Sequence, residues 1–170
     1  MAYFFGRERM IDDVVERLMA VQLLVIHGSS GTGKSSLVSA GVQPRLGQMH
    51  ARRGVQWRTS TIRPGKAPLA NLARAFAGCH LDKSKDLNLS IARLINWGER
   101  SPRAIADALG VSPQNQVCVV LDQFEELFRF TQDFPQDEAV VFANFLSYFQ
   151  RDPPPGMYIL VTMRTDFLEY

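Results

Sequence analysis

Cysteine is scarce in this chain: two in 170 residues, Cys79 and Cys118, far apart and in no C-x-x-C spacing. That scarcity excludes a disulfide framework and a thiolate zinc site. Cys118, inside an apolar run, reads as a small buried hydrophobe. Cys79 is followed by His80, but no second pair completes a metal set. Long hydrophobic runs are also missing. Leu23–Ile26 and Val117–Leu121 fall far short of the roughly 20 apolar residues of a spanning helix. The opening Met1-Ala2-Tyr3-Phe4-Phe5-Gly6-Arg7-Glu8 lacks the basic-then-apolar order of a secretory leader, so no membrane partner and a cytoplasmic location are expected. Nor does charge of one sign dominate. Nineteen Lys and Arg against 17 Asp and Glu leave a net charge of +2, too even for a dedicated nucleic-acid binder. The chain has no N-K-x-D guanine motif, no internal repeat and no low-complexity segment.

What is present suits one globular domain. The residues are 46% hydrophobic and 21% charged, and the length matches a domain of about 100–200 residues. Apolar spacing predicts a helix over Glu8–Ala20, with Met10, Ile11, Val14, Val15, Leu18 and Met19 on its buried side. A short strand over Gln22–His27 leads into a glycine-rich turn. A helix over Lys34–Leu46 follows, with Leu37, Val38 and Ala40 inward and Pro44 near its end. Val55–Ile62 is rich in β-branched and aromatic residues and reads as a strand, closed by Pro64-Gly65. Helices are expected over Pro68–Gly78, Leu87–Trp97 and Pro102–Leu109, with a charged loop at Asp82–Asp86. Val117–Leu121 reads as a buried strand and Gln136–Gln150 as a helix with Ala139, Phe142, Ala143, Leu146 and Phe149 in register. Tyr158–Met163 is the last strand, after the break at Pro153–Gly156. Strands apolar on both faces, alternating with helices, imply an α/β fold: a parallel sheet with helices on both sides.

The turn after the first strand is Gly28-Ser29-Ser30-Gly31-Thr32-Gly33-Lys34-Ser35, followed by Ser36, and it satisfies G-x-x-x-x-G-K-[ST] at every position. Glycines let the backbone turn tightly and approach a polyphosphate. Successive N–H groups then form an anion nest, to which the start of the next helix adds its positive end. In that pattern Lys34 reaches the terminal phosphates and the Ser35 hydroxyl binds Mg2+. The strand before and the helix after supply the context that the motif requires. The expected ligand is therefore an adenine nucleotide, ATP or ADP, with Mg2+, rather than GTP.

Two other strand ends carry charge. Val117–Leu121 runs into Asp122, a carboxylate placed to hold Mg2+ beside a P-loop. Glu125 and Glu126 follow it, and either could activate the attacking water; first-turn acids that complement a helix dipole occupy the same positions. The last strand ends in Arg164, which could meet the terminal phosphate or pair at the surface with Asp166 or Glu169.

Four segments together resemble the novel STAND NTPases, relatives of the NACHT and AP-ATPase signalling proteins: Phe4-Phe5-Gly6-Arg7-Glu8, Gly28–Ser36, Leu121–Leu127 and Thr162–Leu168. Ser35–Val38 leading to Gly41 and Pro44-Arg45-Leu46, and Ile62-Arg63-Pro64-Gly65, match the same group. The resemblance implies that Phe5, Gly6 and Arg7 lie against adenine, that Glu125 and Glu126 belong to a catalytic acidic set with Asp122, and that Arg164 is a phosphate sensor. It also implies a core strand order of 1-4-3-2, with a fifth strand expected after residue 170. The chain would then be the N-terminal NTPase core of a larger protein, with helical, repeat or effector regions as partners. The strand before Gly28 would be an uncovered edge that favours self-association. Many P-loop ATPases place glutamate directly after the metal-shell aspartate; here Gln123 stands there, so slow or absent hydrolysis is expected. The function implied is a nucleotide-dependent signalling switch. The alternatives are a AAA+-type ATPase acting on nucleic acid or protein assemblies, a non-hydrolysing assembly module, and a kinase-like transferase. The transferase would need an acceptor pocket, for which Arg52, Arg53, Arg58 and Arg63 are the one lead; a solvated strand edge is their plainer reading.

Overall fold

The computed structural model describes residues 7–51, 54–80, 87–130 and 135–167. Phe5, Gly6, Arg52, Arg53, the Asp82–Asp86 loop, Leu168 and Glu169 lie outside them. Four parallel strands, β1 (Leu23–Gly28), β2 (Gln56–Ile62), β3 (Asn115–Leu121) and β4 (Met157–Arg164), form one sheet in the order β1-β4-β3-β2. The order 1-4-3-2 expected from the resemblance is the order found.

Alternate residues of the central strands point to opposite faces, and both faces are covered. Val117, Val119, Leu121, Met157, Ile159 and Val161 pack under one helical layer. That layer comprises α4 (Pro68–Gly78), α5 (Asn88–Ile95), α6 (Ser101–Ala108) and α8 (Gln136–Arg151). Cys118, Val120, Tyr158 and Leu160 face the other layer, α1 (Glu8–Val21) and the helical run after the phosphate loop. A strand buried on two sides needs apolar residues of both parities, so β3 and β4 read as continuous apolar runs. Cys118 is a fully buried member of this packing, as its neighbours in the sequence imply.

Several boundaries differ from the sequence expectation, each for a local reason. Gln22 opens no strand. It caps α1 in the left-handed region (φ 59°), and its amide nitrogen donates to Pro154 O at 2.8 Å and Met157 O at 3.0 Å. It thus pins the start of β1 to the start of β4. The helix expected to stop at Leu46 continues to Ala51 through α2 (Lys34–Leu37), a wide π-turn (Val38–Val42) and α3 (Gln43–Ala51). Pro44 lies in the first turn of α3, not near the end. Proline lacks an N–H and crowds the carbonyl four residues back, and the extra residue in the turn just before it makes room. Ala40 is exposed; Gly41 and Val42 take the inward positions. On α8, Ala143 is exposed and the buried stripe is Phe142, Phe145 and Phe149.

Arg58 is no solvated strand-edge residue. Its Nη1 donates to Cys79 O at 2.6 Å and to Leu109 O at 2.8 Å, closing the C-terminal ends of α4 and α6 with one guanidinium. Carbonyls at helix C-termini lack intrahelical donors and favour a cation, so Arg58 is a structural rivet on β2. Among the described residues no helix is long and apolar enough to cross a membrane.

Candidate functional site

Sheet register brings three strand ends together. Gly28 of β1 lies opposite Arg164 of β4, and Leu121 of β3 opposite Val161. Asp122, one residue past β3, therefore arrives beside Thr162. Ligands of parallel α/β sheets bind at this carboxyl end of the strands.

The loop from Ser29 to Gly33 joins β1 to α2. Gly31 and Gly33 adopt φ of 77° and 80°, a region that side-chain-bearing residues avoid. Thr32 Oγ1 donates to Ser29 O at 2.9 Å and tightens the turn. Lys34 Nζ donates to Gly28 O and Ser29 O, both at 2.8 Å, which holds the ammonium over the loop. Arg7, from the start of α1, lies across the outside of the loop, with Nη1 and Nη2 each 3.4 Å from Thr32 O. Arg7 is thus placed at the phosphate loop, while Phe5 and Gly6 fall outside the described residues.

Asp122 is buried, 7% exposed. Its Oδ1 accepts from Ser35 Oγ at 2.6 Å and Thr162 Oγ1 at 2.7 Å; Arg63 Nε approaches Oδ2 at 3.4 Å. One carboxylate thus gathers the phosphate loop, β4 and the end of β2. Thr162 also grips the turn that leaves β3. Its Oγ1 accepts from Gln123 N at 3.0 Å and its carbonyl accepts from Phe124 N at 2.9 Å. That turn needs holding, because Gln123 sits at φ 52°, a conformation that costs a non-glycine residue about 1 kcal/mol or more.

The turn decides where the two glutamates go. Glu125 is 6% exposed, and its Oε2 is buried without a hydrogen-bond partner. It lines a cavity of about 390 Å3. Ser30, Gly31 and Gly33–Ser36 form one wall of that cavity; Gln123, Glu125, Arg129, Thr162 and Arg164 form the other. Glu126 heads the short helix α7 (Glu126–Arg129) and is not part of the wall. Oriented to satisfy its amide, Gln123 accepts from Arg63 Nη2 at 3.2 Å and donates to Glu126 Oε1 at 3.3 Å. The sequence left the two acids equivalent; in the fold Glu125 faces the cavity and Glu126 faces Gln123.

Arg164 stands at the cavity and is paired at the same time. It lines the cavity, and it pairs with Asp166 through Nε–Oδ1 at 3.0 Å and Nη2–Oδ2 at 2.6 Å. The hydrogen bonds from Arg164 hold the Asp166 carboxyl below the usual carboxylate range, with the charges of Arg164 and Arg129 adding to the effect. Sequence reasoning missed Thr162, Arg63 as a partner of Asp122, and Arg129. A lone hydroxyl residue inside an apolar strand was the signal for Thr162, and a basic residue at a strand end the signal for Arg63. Arg129 follows Glu125 by one helical turn.

The donor set suits a hard cation. A serine hydroxyl and a carboxylate stand together, and no group of three or more His, Cys, Asp or Glu side chains occurs among the described residues. Mg2+ is characteristically held by one or two carboxylates together with substrate phosphates rather than by an all-protein cage. Its fit here is therefore that of an ion arriving with a polyphosphate.

The family model of novel STAND NTPase 1 matches residues 1–170. No curated protein matches the chain by sequence. Among solved structures, the chain is similar to the Aeropyrum pernix ORC2 protein in its ADPNP–ADP complexes. Identity there is 15%, over 96% of this chain and 42% of that one, with a TM-score of 0.60. Against the ADP form of the same protein the identity is 14%, over 92% and 40% of the two chains, with a TM-score of 0.53. At such identities the likeness is one of fold. The chain spans about two fifths of the length of the ORC2 protein.

Proposed function

This chain belongs to the novel STAND NTPase 1 family, and on that footing we propose that it is the ATP- and Mg2+-binding core of a nucleotide-dependent signalling switch that hydrolyses ATP slowly. The observation that carries this reading is the Ser35–Asp122 contact at 2.6 Å, which joins the phosphate loop to the acidic strand end. Lys34 turns its ammonium from the loop carbonyls to the terminal phosphates. Ser35 and Asp122 would hold Mg2+, which supplies charge neutralisation across the terminal phosphates. Glu125, in the cavity wall and short of a hydrogen-bond donor, takes a proton from the attacking water. Arg164 stabilises charge on the departing γ-phosphoryl group, and Arg7 fixes the loop from outside. Presence or absence of that group biases the turn after β3 and the segment after β4, which are the elements that contact it.

We infer further that the chain works as the N-terminal core of a longer protein. β1 forms one edge of the sheet. Beside it lies an apolar groove lined by Leu23, Phe124, Leu127, Phe128, Val140 and Leu146. Both features favour packing against further helical or effector regions, or against a second copy. A non-hydrolysing assembly module is the second reading, favoured by Gln123: its amide is engaged by Arg63 and Glu126 and is not free to orient water.

Calorimetric titration with ATP, ADP and GTP in Mg2+, on the wild type and Lys34→Ala, tests the binding site. Adenine nucleotides are expected to bind the wild type and lose affinity at least tenfold in the variant. Absence of binding by folded, nucleotide-free protein overturns the reading. Phosphate release under single-turnover conditions then separates the slow hydrolase from the assembly module.

A further inference from the structure

The cavity wall opposite the phosphate loop carries two arginines, and they are not equivalent. Arg164 commits Nε and Nη2 to Asp166 through two hydrogen bonds. Arg129 lines the same cavity. Its guanidinium lies over the face of Phe167, 5.4 Å from the ring centroid, and its charge bears on Asp166. Arg164 lies over the same ring at 5.8 Å, and Phe128 stacks on it with centroids 6.4 Å apart and planes 21° apart. Arg129 is also tied to the acid of the site, because its N–H donates to Glu125 O at 3.2 Å. Glu125 and Arg129 thus ride on one helical turn.

Asp166 bears on both guanidiniums, on Arg164 through hydrogen bonds and on Arg129 through charge. Among the described residues only Arg164 commits N–H groups to it, which leaves the Arg129 donors for an anion in the cavity that they share with Lys34 and the loop N–H groups. We propose that Arg129 is a second terminal-phosphate-binding residue, which makes this site favour a nucleoside triphosphate over a diphosphate. The proposal rests on the nucleotide-binding reading above and deepens it. Phe167 holds the guanidinium plane in position by its ring face, and planar guanidinium groups bind phosphate oxygens in pairs. Because Phe167 also touches Arg164 and Phe128, engagement of Arg129 would be felt at the segment that follows β4.

The plain alternative is an exposed arginine that complements the C-terminal end of α7. Calorimetric affinities for Mg–ATP and Mg–ADP separate the two. In Arg129→Ala, ATP affinity is expected to fall about 10- to 100-fold, the range of a charge-assisted hydrogen bond, with ADP affinity changing about threefold or less. Arg129→Lys, which keeps the charge but not the plane, is expected to fall between. Arg129 is exposed, so both variants should fold, and circular dichroism checks that they do. Equal changes for ATP and ADP, or none, overturn the role of Arg129 while leaving nucleotide binding intact. A folded wild type that binds neither nucleotide overturns the functional reading itself, and this inference with it.

Discussion

Replacing Thr162 by valine keeps the shape of the side chain and removes its hydroxyl from a site that is 1% exposed. Two hydrogen bonds go with it. Asp122 Oδ1 loses a donor at 2.7 Å, and Gln123 N loses an acceptor at 3.0 Å. A bond to a charged group is worth about 1.5–3 kcal/mol, and a buried amide left without a partner costs about 1–3 kcal/mol. Part of the sum returns through burial of the added methyl group, about 1 kcal/mol. The net loss is about 2–4 kcal/mol, which in a domain of this size lowers Tm by about 5–15 °C. Thr162→Ser retains the hydroxyl and loses a buried methyl, so its cost should stay near 1 kcal/mol. Urea unfolding with an unchanged m-value measures both. The reasoning fails if valine lies within about 0.5 kcal/mol of wild type, the usual scatter for substitutions that touch nothing. It fails equally if serine costs as much as valine, because packing of the methyl group would then outweigh the two hydrogen bonds. A functional consequence accompanies the loss. Thr162 holds the turn that aims Asp122 and Glu125, so Thr162→Val should also weaken Mg2+-dependent ATP binding, whereas Thr162→Ser should spare it.

The parts legible in the sequence were those whose cause is local. The phosphate loop is set by glycines whose backbone angles no other residue adopts comfortably, and by a lysine and serine at fixed offsets. The central strands carry apolar residues of both parities, Val117–Leu121 and Met157–Val161, because helices cover both faces, and that pattern survives without any knowledge of which helix covers which. What escaped depends on contacts between distant segments. Glu125 and Glu126 are chemically identical and adjacent. Only the positive φ of Gln123, itself anchored by a threonine 39 residues later, turns one into the cavity and the other away. Arg58 looked like a charge on a strand edge because the carbonyls that occupy it belong to the ends of two helices, 21 and 51 residues away. The π-turn was hidden for a similar reason. Taken locally, Pro44 signals the end of a helix, and nothing in the sequence around it announces the extra residue that carries the helix past it.

Two further outcomes test the placement of these side chains. If Glu125 is the proton acceptor, Glu125→Gln lowers the single-turnover rate of ATP hydrolysis by about 10²–10⁴-fold with ATP binding retained, whereas Glu126→Gln changes it only a few-fold; the reverse pattern would assign the chemistry to Glu126. The packing of α1 against the π-turn gives the last prediction. A Cβ at Gly41 would stand 2.6 Å from Ile11 Cδ1 and 2.8 Å from its Cγ1. Alanine is the better helix former by about 1 kcal/mol, but overpacking typically costs about 1–3 kcal/mol, so Gly41→Ala should be net destabilising by up to about 2 kcal/mol. The obstacle is the end of one half-buried side chain and no part of the backbone, which means that a second change can remove it. In the double variant with Ile11→Ala the Gly41→Ala cost should vanish, and a double-mutant cycle in urea should return a coupling of about 1 kcal/mol or more. Strict additivity would mean that the close approach of α1 to the π-turn is absent in solution, and with it the reason that a glycine stands at this position.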